Sequence, residues 1–240
     1  TIKVDRVIGE LLLKRGVDSY EKAEEFFNPS LEELHDPFLM KGVHEAVSRL
    51  EAAVNAGEKI MLFGDYDVDG TTAVALMYSV LVQISNLDYY IPDRYTEGYG
   101  LSQKGIDHAI ETGCNLMITL DCGIRSVELI AYAKEKGLEV IVCDHHEPGN
   151  ALPDCIVLDP KQEGCGYPYK ELSGCGVGFK LLQALSTKFT GLQDTLLKHL
   201  DLVAVSIGAD IVDVTGENRI LAYHGLAFLN EQPRNSFKAL

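Results

Sequence analysis

The chain has 240 residues, 46% of them hydrophobic, and carries 36 Asp and Glu against 21 Lys and Arg, a net charge of −15. That length fits one large domain, or one domain with an appendage, and no apolar run approaches the roughly twenty residues that span a bilayer. The charge balance argues against a generic nucleic-acid binder with a basic face but not against an enzyme that gathers carboxylates around cations.

The first residues, TIKVDRVIGELL, lack the basic start and small-residue cleavage site of a signal peptide. The chain starts at Thr1 rather than Met, as a fragment would. Residues 1–41 read as a small helical lead-in. Ser19 caps a helix over 21–27, and Asn28-Pro29 stops it. Val43, Ala46, Val47, Leu50, Ala53 and Val54 stand at helical spacing, and Gly57 ends that helix. Strands are then expected over 59–63, 87–91, 115–120, 138–143 and 155–159, with helices over 71–84, 102–111 and 126–136 between them. From Ser173 onward the pattern is helical, over 176–189, 192–206 and 217–230. The alternation predicts an α/β fold, a mostly parallel sheet with helices on both faces and a helical C-terminal segment. None of the six cysteines form a C-x-x-C pair, so free thiols and a reducing cytoplasm are expected.

The acidic residues follow the strands. Asp65, Asp67 and Asp69 come after the first, Asp121 after the third, and Asp144, His145 and His146 after the fourth. In a parallel sheet the C-terminal strand ends line one edge, where ligands bind. Carboxylates gathered there repel, and divalent cations resolve the repulsion. Oxygen ligands with imidazole and no thiolate motif suit Mn²⁺ or Mg²⁺. Two such ions about 4 Å apart can bridge a phosphate and activate water, and a carboxylate such as Asp121 could bridge both. A calcium loop starting at Asp65 would need a Glu at its last position, where Leu76 stands. Turn-forming acids or a lone capping Asp would explain one such site, but not three strand ends in one sheet.

DYDVDG (65–70), LDCGI (120–124) and DHH (144–146) resemble the first three signature motifs of the DHH phosphoesterase superfamily. NPSLEELHDPFLM (28–40), PDRYTEGYGLS (92–102), ELSGCGVGFKL (171–181) and DLVAVSIGADIVDVTGENRIL (201–221) resemble, in order, segments of its RecJ-type exonucleases. After Asp210 this chain reads Ile211-Val212-Asp213, where that pattern commonly runs Val then Pro. The resemblance implies that Asp67 and Asp69 each hold one metal, that Asp121 bridges, and that His145 and Asp210 complete one shell. Asp65 is then a ligand or a group just behind the ligands. Asp144 orients a histidine, and His146 stabilises charge on the scissile phosphate.

Other positions stay open between two readings. Arg94 contacts phosphate or is a solvated arginine. Ser173, Gly174, Gly176 and Gly178 let backbone N–H groups approach a phosphate, or mark a close-packed helix start. Tyr95 and Tyr99 stack on bases, or pack in the core and anchor a loop. Lys180 reads as a solvated residue, and Cys122 and Cys143 as small buried hydrophobes.

The resemblance implies a 5′ to 3′ exonuclease on single-stranded DNA in recombination and repair. In that family the catalytic part, here residues 42–240, is followed by a DHH-associated domain and an oligonucleotide-binding fold, with helicase or single-strand-binding proteins as partners. Without those domains weak DNA binding is expected, with Arg94, Lys104, Arg125, Lys161 and Lys180 as local candidates. A small-substrate member of the superfamily is the alternative, acting on short oligonucleotides, cyclic dinucleotides or pyrophosphate. A non-enzymatic replication scaffold would have lost metal ligands, and here every expected ligand position is filled.

Overall fold

The computed structural model describes residues 4–239. They form two compact units that divide between Leu34 and His35. The first holds α1 (Arg6–Lys14) and α2 (Tyr20–Phe27). Asp5 caps α1 through the Val7 N–H, and Ser19 caps α2 through the Lys22 N–H at 3.2 Å.

The second unit opens with α3 (Val43–Ala56), β1 (Lys59–Gly64), α4 (Val68–Leu81), β2 (Asn86–Tyr90) and α5 (Gln103–Glu111). It continues with β3 (Leu116–Leu120), α6 (Val127–Glu135), β4 (Glu139–Cys143) and β5 (Ile156–Leu158). Five helices close it: α7 (Gly174–Leu185), α8 (Leu192–Leu197), α9 (Leu200–Ala209), α10 (Gly216–Glu231) and α11 (Asn235–Lys238) follow the sheet, and α3 packs against α7. The five strands are parallel, in the order β2-β1-β3-β4-β5. β1, β3 and β4 are continuous apolar runs because both faces are covered. Met61, Phe63, Met117, Val140 and Val142 form one core with Ile106 and Ala109 of α5 and Ile130 and Ala133 of α6. The opposite face meets α3, α4 and α7, and α9 packs on α4 and on α10. The chain runs outward from β1 to β2, then returns to β3 on the other side of β1. That reversal opens a crevice between β1 and β3 at their C-terminal ends.

Three helices depart from the sequence expectation for local reasons. α4 begins at Val68 rather than Thr71 because Asp67 accepts the Gly70 N–H at 2.9 Å, so Asp69 lies inside the first turn. α7 begins at Gly174 because Ser173 Oγ accepts the Gly176 N–H at 3.1 Å. The helix expected over 192–206 is two, α8 and α9. It breaks at His199, whose ring nitrogen bonds the Thr195 carbonyl at 2.8 Å and closes α8.

Lys180 is not solvated: it is fully buried. Its Nζ donates to the His35 carbonyl at 2.7 Å and to Glu217 Oε1 at 3.0 Å. Glu217 also accepts the His35 N–H at 3.0 Å and the Tyr167 hydroxyl at 2.6 Å. This network ties the segment from His35, expected with the lead-in, to the second unit. α10 meets α9 backbone to backbone at Gly225, where a Cβ would lie 2.2 Å from the Leu200 carbonyl oxygen. No helix among the described residues is long and apolar enough to cross a membrane. All six cysteines are free, Cys122 and Cys143 among the buried ones.

Candidate metal centre

The strand ladders run one residue past the strands and align an acid from each. Asp65 donates its N–H to the Leu120 carbonyl at 3.4 Å, Asp121 to Cys143 at 2.9 Å, and Asp144 to Leu158 at 3.0 Å. Asp65, Asp121, Asp144 and Asp159 therefore form a row along the sheet edge, one each from β1, β3, β4 and β5, and all are buried. Asp121 is the only non-glycine residue with positive φ among the described residues, at 60°. Asp tolerates that conformation better than most residues.

α4 and α9 bring further groups over this row. Asp67, at the exposed rim, caps α4. Asp69 is buried and already bonded. It accepts the Gly174 N–H at 2.6 Å, the Cys175 N–H at 2.8 Å and the Ser206 hydroxyl at 2.7 Å. Asp210 ends α9. His145 Nε2 lies 3.2 Å from Asp121 Oδ1, 3.5 Å from Asp210 Oδ2 and 3.8 Å from Asp69 Oδ2. The ring thus stands where the four elements converge.

Asp144 works differently. Its Oδ1 meets the His145 N–H at 2.8 Å, the His146 N–H at 3.2 Å and His146 Nδ1 at 2.7 Å, while Oδ2 accepts the Ile124 N–H at 2.9 Å. Oδ1 is thus saturated and Oδ2 carries one bond, so the carboxylate serves chiefly the backbone and the His146 ring. His146 Nε2 meets the Tyr99 hydroxyl at 3.0 Å. Tyr99 stands edge-on to Tyr66, and the exposed Arg94 guanidinium lies 5.2 Å over the Tyr66 ring.

Some expected contacts are taken up within the protein. The Gly174 N–H goes to Asp69 and the Gly176 N–H to Ser173 Oγ, which also bonds Ser206 at 2.7 Å. Ser173, Gly174 and Gly176 are buried, so this helix start serves a carboxylate of the protein rather than a substrate phosphate. A Cβ at Gly174 would come 2.6 Å from the Asp121 side chain, so only glycine lets α7 approach. Neither tyrosine packs in the core, with Tyr95 93% and Tyr99 57% exposed. Ser206, bonded to Asp69, and Asp159, in the acidic row, are residues at the centre that sequence reasoning did not single out.

The electrostatics follow from crowding. Burial, then Asp69, Asp67 and Asp144, push Asp121 up to about 11. Burial likewise raises Asp65 and Asp69 and lifts Asp159 to about 7. Burial acts on Asp144 too, but the bond and charge of His146 and the backbone donors outweigh it, and its carboxyl titrates below the usual range. His146 is raised, chiefly by its bond to Asp144.

Asp65 Oδ2, Asp121 Oδ1 and Asp210 Oδ2 are buried acceptors with no hydrogen-bond partner. Such orphans each cost on the order of 1–3 kcal/mol. Ligand atoms of Asp69, His145 and Asp210, and of Asp121, His145 and His146, lie within 4.8 Å of one another. Carboxylate oxygens with one imidazole suit a hard divalent cation such as Mn²⁺ or Mg²⁺, so the residues fit a metal centre.

Residues 59–207 match the family model for the DHH family, N-terminal domain. The single-stranded-DNA-specific exonuclease RecJ of Bacillus subtilis is 44% identical over 241 residues, covering 100% of this chain and 30% of that protein. The RecJ of Escherichia coli is 38% identical over 200 residues, covering 78% of this chain and 35% of that protein. The chain thus spans about a third of the length of these curated relatives. A crystal structure of exonuclease RecJ bound to manganese superposes with a TM-score of 0.74 at 37% identity, over 83% of this chain and 50% of that one. RecJ from Thermus thermophilus in complex with Mn²⁺ gives 0.77 at 30% identity, over 95% and 32%. The matched segment holds the acidic row, both histidines and the helices that carry Asp69 and Ser206, and by it the chain belongs to the DHH family.

Proposed function

We propose that this chain is the hydrolytic part of a metal-dependent exonuclease that degrades single-stranded DNA 5′ to 3′ in recombination and repair. Residues 42–240 would carry the hydrolysis, in the reducing cytoplasm that the free cysteines suit. The observation that carries the reading is that the orphaned oxygens of Asp121 and Asp210 lie 3.2 and 3.5 Å from His145 Nε2, at the end of a row of buried acids. The activity of the RecJ relatives, single-stranded-DNA-specific exonucleases, supports the substrate class, and the resemblance alone supplies the polarity.

Asp67, Asp69, Asp121, His145 and Asp210 would hold Mn²⁺ or Mg²⁺, with Asp65 beside them. Bound there, the cations would polarise the phosphodiester and supply an activated water. His146, held at Nδ1 by Asp144, keeps Nε2 toward Tyr99 and the cleft, where it can stabilise charge developing on phosphate. Arg94, whose guanidinium lies 5.2 Å over the Tyr66 ring, would meet a phosphate at the rim. Helicase and single-strand-binding partners would act on the whole protein.

Scarcity of cations favours a second reading, hydrolysis of a short substrate. Lys180 is buried, Lys104 faces Glu97 at 3.5 Å, and Arg125 is bonded to the Glu147 carbonyl at 2.8 Å. Lys161 lies between Glu147 and Glu171, at 4.0 and 3.9 Å. Rates with Mn²⁺ on a long single strand, a dinucleotide and pyrophosphate decide between the two. Mononucleotides released from the 5′ end of the long strand support the exonuclease. A preference for the short substrates supports the second reading, and no hydrolysis of any of them removes both.

A further inference from the structure

We infer that Glu97 is a positioning residue for the reaction: its carboxylate closes the base of the loop over residues 92–102 and so holds the Tyr99 hydroxyl against His146 Nε2. The inference rests on the role proposed for His146 and adds a residue behind it.

The loop leaves the end of β2 at Tyr90 and comes back at Ser102, which caps α5 by accepting the Gly105 N–H at 3.0 Å. Glu97, its side chain only 6% exposed, ties the two ends together. The Tyr90 hydroxyl donates to it, 3.0 Å from Oε1 and 2.9 Å from Oε2. The Asp93 N–H donates to Oε1 at 3.0 Å, and Ser102 Oγ donates to Oε2 at 2.7 Å. All three groups donate, and an ionised carboxylate accepts from them all. Burial opposes its charge, but the Asp93 N–H, Ser102 and Tyr90 outweigh burial, and the carboxyl titrates below its usual range. The anchor is itself fixed, because the Tyr90 ring stacks on Phe63 of the core at 5.7 Å.

Beyond Glu97 the chain bends at Gly98 and again at Gly100, both at positive φ, 85° and 84°. Tyr99 stands out between the two bends. It is 57% exposed, yet its hydroxyl meets His146 Nε2 at 3.0 Å and its ring stands edge-on to the His146 and Tyr66 rings. An exposed side chain keeps one direction at an entropic cost, and a fixed backbone beneath it lowers that cost. Leu101, in the core, holds the loop on one side of Tyr99, and Glu97 holds it on the other. The same base closes the turn that carries Arg94, where the Glu97 N–H donates to the Asp93 carbonyl at 2.9 Å. With Asp144 on Nδ1 and Tyr99 on Nε2, both nitrogens of the His146 ring are directed.

The test uses Glu97→Ala, Glu97→Gln, Tyr99→Phe and the double variant Glu97→Ala with Tyr99→Phe. Nitrogen-15 NMR of labelled histidine, without metal and at one pH, reads Nε2 of His146. Glu97→Ala should move that signal as Tyr99→Phe does, although it leaves the hydroxyl in place, and the double variant should move it no further. Glu97→Gln, which keeps the shape and one accepting oxygen, should fall between Glu97→Ala and the wild type. With saturating Mn²⁺ on a single strand, Glu97→Ala should lose roughly 10–100-fold in rate. The double variant should lose no more than the larger single loss, and calorimetric Mn²⁺ affinity should hold throughout. A His146 signal unmoved by either single variant, a Gln variant no better than Ala, additive rate losses, or a fall in Mn²⁺ affinity overturns the inference. Absence of hydrolysis by the wild type would instead remove the proposed function, while the metal-free signal would still decide whether Glu97 sets the Tyr99 contact.

Discussion

Asp144 Oδ1 lies 2.7 Å from His146 Nδ1, while the neighbouring His145 turns Nε2 to within 3.2 Å of Asp121 Oδ1. Two adjacent imidazoles are thus committed to different acids. His146→Ala should lose roughly a hundredfold or more in rate yet keep Mn²⁺ affinity, whereas His145→Ala should weaken binding itself. Calorimetric titration of both variants reads the difference, and equal loss of affinity would contradict the division.

Asp121 sits where burial and three other acids oppose its charge. Asp121→Asn keeps the shape, suits positive φ and removes the charge. Hydrolysis in saturating Mn²⁺ should fall to below about a tenth of wild type, and the metal-free melting temperature should hold or rise. A variant that melts lower without metal would mean that the carboxylate itself holds the fold.

The pH dependence of metal-free stability has a definite sign. Folded Asp159 titrates at about 7 and Asp121 at about 11, against roughly 3.9 in an unfolded chain. Above about pH 4 the unfolded state sheds these protons while the fold retains them, so stability falls as pH rises. The Asp159 share is lost by about pH 7, and the Asp121 share continues beyond. Asp144, shifted the other way, matters only in acid, where its contribution is lost. Mn²⁺ displaces the same protons and binds more tightly as pH rises, adding about 2.7 kcal/mol at a hundred times Kd. Melting with Mn²⁺ and with chelator from pH 5 to 8 should therefore diverge as pH increases. A gap that stays constant or narrows would contradict the assignment.

Lys180→Met leaves Glu217 buried without its cation, although the His35 N–H and the Tyr167 hydroxyl remain. The loss should be about 3–5 kcal/mol in urea unfolding. Adding Glu217→Gln removes the stranded charge and should recover at least half of it.

The sheet was legible because β1, β3 and β4 are unbroken apolar runs that end in acids. The acid behind β5 follows the same rule, in CIVLD, yet it belongs to no motif and so Asp159 passed unweighed. Helix starts were misplaced where a side chain captures backbone, as Asp67 and Ser173 do, because apolar spacing registers only a helix's buried stripe. Lys180 was misread for a related reason: its partner Glu217 lies 37 residues away on another helix, and no local pattern encodes a pair at that separation. The glycines after Ser173 signalled close approach correctly, but what approaches is Asp69, which arrives from 105 residues earlier.

The missing side chain at Gly225 sets how far α9 can recede, and α9 carries both Ser206 and Asp210. A methyl group there would wedge the two helices apart and move those groups off the histidine without touching either. A genetic screen for inactive protein should therefore return position 225 together with the acids themselves, and because the nearest atom belongs to the Leu200 backbone carbonyl, no trimming of a facing side chain should rescue such alleles fully.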